Sequence, residues 1–291
     1  MKITLYIIAG IVSWVIAFLL YSWHMRRKYS IQEKVELTLP KSWKELTDKQ
    51  FLFVCQLLLM DNTPDEILSK CFLFFNNIKV IEKRDSGTWL CKIGRKKFSI
   101  WDYEVLYFSK KLLFLIENIR DVKPLRSLAG LKPINSRFEG IPFKQWLAAE
   151  NYYQAFLYTK EEQYLNMLCA VIYSDGITFS DSETFKRAKT FSKLPDIQRF
   201  SVFIVYMGFK ELLSNQFSYF FKKTIGQPAE TKRPPNMREH INNMLNALDG
   251  GDATKTDQIL EIDSWRAFDK LNRKAREIKE TEERLSKMTK K

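Results

Sequence analysis

Between Phe143 and Tyr173 the chain reads FKQWLAAENYYQAFLYTKEEQYLNMLCAVIY, and this stretch sets the tightest limit on the fold. Trp146, Tyr152, Tyr153, Phe156, Tyr158, Tyr164 and Tyr173 fall within it. Rings of this size bury large apolar areas and need packed neighbours on several sides. In its middle, Thr159 and Glu162 have the spacing of a capping box, in which a hydroxyl and a carboxylate satisfy each other's free backbone N–H groups at a helix start. The stretch predicts two consecutive helices, the first ending near Tyr158, at the centre of a helical core. Composition supports this: 45% hydrophobic and 14% aromatic residues suffice for a packed interior. Only 10 Gly and 9 Pro among 291 residues argue against a loop-rich β-sandwich.

A second stretch concerns placement. Ile3 to Trp23, ITLYIIAGIVSWVIAFLLYSW, is a run of 21 residues without a charge. About 20 apolar residues span a bilayer's hydrocarbon core as a helix. Tyr6 stands near one end and Tyr21 and Trp23 near the other, where amphipathic rings favour the interface. Lys2 precedes the run and Arg26, Arg27 and Lys28 follow it, so the positive-inside bias puts the bulk of the chain in the cytoplasm. The run is long for a signal peptide, and no small-x-small site follows it. A single N-terminal transmembrane helix over residues 1–24 is therefore expected. Met25 offers an alternative start, from which the chain would be cytoplasmic without an anchor.

The remainder divides into three regions. Residues 25–122 are read as an α+β region. Lys34 to Leu39 alternates as a short strand up to Pro40. Thr47 with Gln50 and Thr63 with Glu66 make two capping boxes, the second with Pro64 at the first helical position. These start helices reaching about Met60 and Phe75. Three short runs, Lys79 to Arg84, Thr88 to Lys92 and Lys97 to Trp101, are separated by Asp85-Ser86-Gly87 and Gly94, which reads as a three-stranded antiparallel meander. A helix from Asp102 to about Asn118 would cover it through Val105, Leu106, Leu112, Leu113, Leu115 and Ile116.

Residues 123–225 are read as the helical core. Its opening, Lys123 to Pro142, holds three prolines and two glycines and reads as a long connector. After the central pair of helices, Ser180 with Glu183 starts another helix, and Asp196 to Lys223 a long one. Phe200 to Phe209 is uncharged but too short to cross a bilayer, and is read as buried. Residues 226–291 hold a proline-rich linker over Gln227 to Asn236, a short helix from Met237 stopped by Gly250-Gly251, and a last helix from about Thr254 to Met288. In that helix Ile259, Ile262, Trp265, Phe268, Leu271, Ala275 and Ile278 form a narrow apolar stripe. Such a stripe either docks on the core or meets a partner helix. The fold class is thus mainly α with a small antiparallel β meander.

Candidate chemistry is sparse. Glycine-rich phosphate loops, HExxH and GxSxG are absent, and His24 and His240 are the only histidines, so no cofactor or metal is expected. Cys55, Cys71, Cys91 and Cys169 lie far apart and read as free thiols of a reducing compartment. Glu150, set among aromatics, is the one candidate for a perturbed carboxylate, with no second acid recognisably paired with it. The net charge of +13 is spread out: residues 181–225 hold eight basic against four acidic side chains, and residues 226–291 fourteen against twelve. Two uses of the surface follow. Ile262, Trp265, Phe268, Leu271 and Ile278 would bind a protein partner. Alternatively Trp89, Lys92, Arg95, Lys96, Lys97 and Trp101 would bind nucleic acid, aromatic faces stacking on bases beside basic edges.

LPKSWKELTDKQ at residues 39–50, EIDSWRAFDKLNRKAREIKE at residues 261–280 and the central AAENYYQAFLYTKEEQYLNMLCAVIY resemble uncharacterised proteins of prophage structural modules from gut anaerobes. The likeness rests on 58 of the 291 residues, about a fifth of the chain, and carries no catalytic residue. It implies a helical protein of mobile-element origin acting in tail assembly through protein contacts. Together these readings lead to the expectation of a non-enzymatic assembly or interaction protein, tethered to a membrane.

Overall fold

The computed structural model describes Tyr21 and residues 37–174, 179–221 and 236–289. The expected membrane helix, Tyr21 apart, and the linker over 227–235 lie outside the described residues. Among the described residues the protein is mainly helical with one three-stranded antiparallel sheet, and no helix is long and apolar enough to cross a membrane.

The first elements follow their local signals. α1 (Asp48–Leu59) starts at Thr47, whose side chain accepts from the Gln50 amide while Gln50 accepts from the Thr47 amide. Thr63 and Glu66 repeat this for α2 (Pro64–Phe75). The expected strand over residues 34–39 is not formed in its described part, 37–39. There the Thr38 amide donates to the Asn76 side chain at 3.1 Å and joins no ladder. β1 (Lys79–Lys83), β2 (Thr88–Ile93) and β3 (Lys96–Trp101) pair antiparallel in that order, with an irregularity in β1 between Val80 and Glu82.

α3 (Asp102–Ser109) begins directly off β3, where Glu104 accepts from the Trp101 amide at 2.9 Å. The single helix expected to Asn118 instead breaks into α3, a 3-10 turn (Lys110–Leu112) and α4 (Phe114–Glu117). The end of α4 is held by a residue distant in sequence. The Trp43 indole donates to the carbonyls of Phe114 (3.0 Å) and Asn118 (2.9 Å), so a core tryptophan satisfies groups that a continuing helix would have paired. Val105, Leu112 and Leu115 are buried as expected, whereas Leu106 and Leu113 face solvent.

Residues 123–142 have irregular backbone but pass through the core. Leu125, Leu128, Ile134 and Phe138 are buried. The Tyr173 hydroxyl donates to the Leu125 carbonyl at 3.0 Å, and the Ile134 amide to Ile172 at 2.8 Å. Phe138 has a φ of 56°, which costs a residue with a Cβ about 1–2 kcal/mol. Burial of its ring edge-on to Tyr206 and Phe209 offsets that cost.

α5 (Phe143–Thr159) and α6 (Glu162–Ile172) are the two central helices. The capping box between them is not formed. Thr159 is the last residue of α5, with its hydroxyl donating back to the Ala155 carbonyl, and left-handed Lys160 (φ 60°) closes the helix. α6 starts at Glu161 without a side-chain cap. α7 (Asp181–Phe191) starts at Ser180, which accepts from the Glu183 amide. α8 (Asp196–Gln216) ends short of the expected Lys223 and buries Val202 to Tyr206 together with Phe209. Its Gly208 lies so close to residue 122 that a Cβ would stand 3.0 Å from the Val122 side chain.

α9 (Met237–Asp249) is capped by Asn236 and stopped by left-handed Gly250. The last helix is not continuous: α10 (Thr256–Glu261) and α11 (Ser264–Thr289) are separated at Ile262 and Asp263. The end of the connector makes the break. Phe143 donates to the Ile262 carbonyl, and both the amide and the hydroxyl of Ser264 donate to Ile141, each at 2.8 Å. α5 packs on α6, α6 on α7 and α8, and α8 on α1, around one continuous apolar core.

Candidate functional site

The C-terminal stripe divides in two. Ile259, Phe268 and Leu271 are buried, and Ile262 and Trp265 pack against the core. Phe268 stands edge-on to Trp146 at 4.9 Å between ring centres, and Trp265 to Phe217 at 4.8 Å. Lys270 and Lys274 donate to the carbonyls of Leu248 and Ala247, where cations complement the C-terminal end of α9. The Asn272 side chain accepts from the amides of Tyr219 (2.9 Å) and Phe220 (3.1 Å). Beyond Ala275 the same face leaves the body. Ile278, seven residues after Leu271, is 60% exposed, and Leu285, seven further, is 59% exposed. Arg276–Glu280 and Lys279–Glu283 pairs flank this outer half. Of the five residues expected to face a partner, four belong to the core or pack on it, and Ile278 is open to solvent.

The meander separates its two tryptophans. Trp89 pairs with Ile100 and Trp101 with Thr88, so the pleat places the two rings on opposite faces of the sheet. Trp89 shares the inner face with buried Cys91 and Ile100, with Lys83 Nζ 4.2 Å above its ring. Trp101 shares the outer face with Lys92 and Lys97. Lys79 stands opposite Lys92, and Lys92 opposite Lys97, so three ammonium groups cross the sheet in one row. Arg95 is exposed at the β2–β3 turn, and Lys96 is exposed at the start of β3. The charge is less evenly spread than the chain totals suggest: residues 79–111 hold nine basic against four acidic side chains.

Sequence reasoning missed the neighbouring face of α3. Tyr103, Leu106, Tyr107 and Lys110 are all exposed, and Trp101 stacks on Tyr103 at 6.1 Å. The signal was the spacing 103, 106, 107, 110, one helical stripe. The inward set 105, 109, 112 has a helical spacing too, so spacing alone does not say which stripe faces out.

Glu150 is 7% exposed and is filled with donors. Gln154 (2.7 Å) and Lys210 (2.6 Å) donate to one oxygen, and the Tyr206 hydroxyl (3.0 Å) to the other. Lys210 also lies 4.7 Å above the Tyr153 ring. Burial, then the Glu150 charge, pushes the Tyr153 phenol up to about 12 and that of Tyr206 well above its ordinary value. Both phenols therefore stay protonated, and Tyr206 keeps the proton it donates to Glu150. Trp146, Glu150, Tyr153, Lys210 and Phe221, with exposed His240, line a cleft of about 450 Å³. The arrangement stitches α5 to α8 and has no second carboxylate beside Glu150 in the cleft except Glu211.

The four cysteines are free and buried, and burial raises all four thiols, Cys71 to about 12. Among the described residues no group of His, Cys, Asp and Glu is placed to hold a metal ion. A scan of protein-family models finds no match to the chain, and comparisons with curated proteins and with solved structures find none either.

Proposed function

We propose that this chain is a non-enzymatic interaction protein, held at a membrane by residues 3–23 with its bulk on the cytoplasmic side, that captures a protein partner along the outer half of α11. One observation supports the capture surface above others. A single apolar face runs unbroken from buried Phe268 and Leu271 to exposed Ile278, so the helix is anchored at one end and presents its stripe at the other. An anchored helix loses less freedom on binding than a loose segment does. An assembly role through such contacts fits the prophage likeness. The nucleic-acid reading is weaker, because Trp89 turns inward and leaves Trp101 without its expected companion ring.

A photo-crosslinking residue at position 278 of the full chain in native cells tests the reading. It should yield one discrete protein adduct. The same residue at position 287, half a turn round the helix, should yield none. Ile278→Asp should abolish co-purification of that partner with unchanged far-UV circular dichroism. Equal labelling from both positions, or a partner retained by Ile278→Asp, would remove α11 as the capture surface.

A further inference from the structure

We propose that the outer face of the meander and the exposed stripe of α3 together form a docking surface for an anionic lipid bilayer. The inference builds on the tether of the preceding reading, which would keep this face near a membrane. The Lys79–Lys92–Lys97 row is the first argument. Like charges directly opposite one another on a sheet repel. Among the described residues these three lysines form no ion pair with a carboxylate, so an external anionic surface is what would relieve the repulsion.

The second argument is the apolar material beside the row. Trp101, Tyr103 and Tyr107 are 45%, 61% and 66% exposed, and Leu106 lies between the tyrosines on the same stripe at 44%. Tryptophan and tyrosine favour the headgroup region, where the ring body is apolar and its polar tip stays wet. Lys110 ends the stripe one turn after Tyr107, an interfacial pattern of rings flanked by ammonium groups. The Trp101–Tyr103 stack joins the lysine-bearing sheet face to the helix stripe. Leu106 discriminates between polyanions. An aliphatic side chain gains from lipid, whereas single-stranded nucleic acid asks for rings and cations alone.

Proximity is the third. Residues 24–36 separate the apolar run from the first residue of the continuous described chain, and about 13 residues reach at most ~45 Å when extended. Tethering at that range raises the local concentration of lipid, so a face of modest intrinsic affinity would stay engaged.

The test uses the full chain reconstituted with vesicles of phosphatidylcholine alone or mixed with phosphatidylserine. Hydroxyl-radical footprinting reads Trp101, Tyr103 and Tyr107, and alkaline carbonate extraction reads the tether separately. Modification of the three rings should fall several-fold on the phosphatidylserine vesicles only, and return in Lys92→Glu/Lys97→Glu and at high salt. Unchanged footprints in protein that resists carbonate would overturn the docking face and leave the tether standing. Protected rings in protein that carbonate releases would uphold the face and overturn the tether. Equal protection on both vesicle types, or protection by a single-stranded oligonucleotide and not by phosphatidylserine, would overturn the assignment to anionic lipid.

Discussion

Glu150 and Arg199 are the charged side chains that the described core takes in, and each is met by several partners. Arg199 binds the carboxylates of Glu162 and Asp196 and the Asn166 side chain. Burial alone would lower the pKa of its guanidinium, and the hydrogen bonds it donates to Asp196 and Glu162 outweigh that effect. Glu150 collects a lysine, a tyrosine and a glutamine. Removing one member of such a cluster leaves the others desolvated without an acceptor. Glu150→Ala should therefore lower the unfolding free energy by about 2–4 kcal/mol, toward the lower end because Lys210 reaches solvent. Glu150→Gln should cost less, since it keeps an acceptor. Urea unfolding reads both, and a loss under about 0.5 kcal/mol for the alanine variant would show that the cluster is not structural.

At the level of elements, α11 joins two environments in one helix. Its first turns are core: Phe268 meets Trp146, Phe143, Phe217 and Phe221. Phe268→Ala should cost about 3–5 kcal/mol, the range for deleting a buried ring. Ile278→Asp on the exposed half should change stability by no more than ~0.5 kcal/mol. Equal effects in thermal or urea unfolding would contradict this division of the helix. The contrast also guards the crosslinking result, because a lost partner in a variant at position 268 would report unfolding rather than contact.

For the whole molecule, buried acids of high pKa make stability depend on alkaline pH. The thiols of Cys55, Cys71 and Cys169 have an ordinary value of 9.0, and the phenols of Tyr153, Tyr173 and Tyr206 one of 10.0; burial raises all six in the folded state. The unfolded chain thus releases these protons first. Their contribution is fully present below about pH 9 and is lost as pH rises through 9 and then 10 toward the folded values. The thermal midpoint should fall steeply above about pH 9, with native phenolate absorbance lagging that of denatured protein. A midpoint that stays flat across that range would mean these groups are accessible in the native state.

The sequence by itself determined what neighbouring residues decide. Thr47 with Gln50 and Thr63 with Glu66 capped their helices as read, Gly87 and Gly94 supplied the meander turns with positive φ, and Gly250 stopped α9. The uncharged run of α8 was legible as core because ten residues without a charge, most of them apolar, gain most from an interior position. Only the tertiary structure decided where helices break and which apolar stripe is covered. The break at Ile262 comes from Ile141, 123 residues from Ser264, and the end of α4 at Glu117 is met by the indole of Trp43. The stripes of α3 and α11 each have two defensible readings, and packing chose between them. It buried Val105 and exposed Tyr103 and Tyr107, and it buried Phe268 and left Ile278 in solvent. Periodicity states that a face is apolar; which surface covers it depends on distant residues, and no local spacing encodes them.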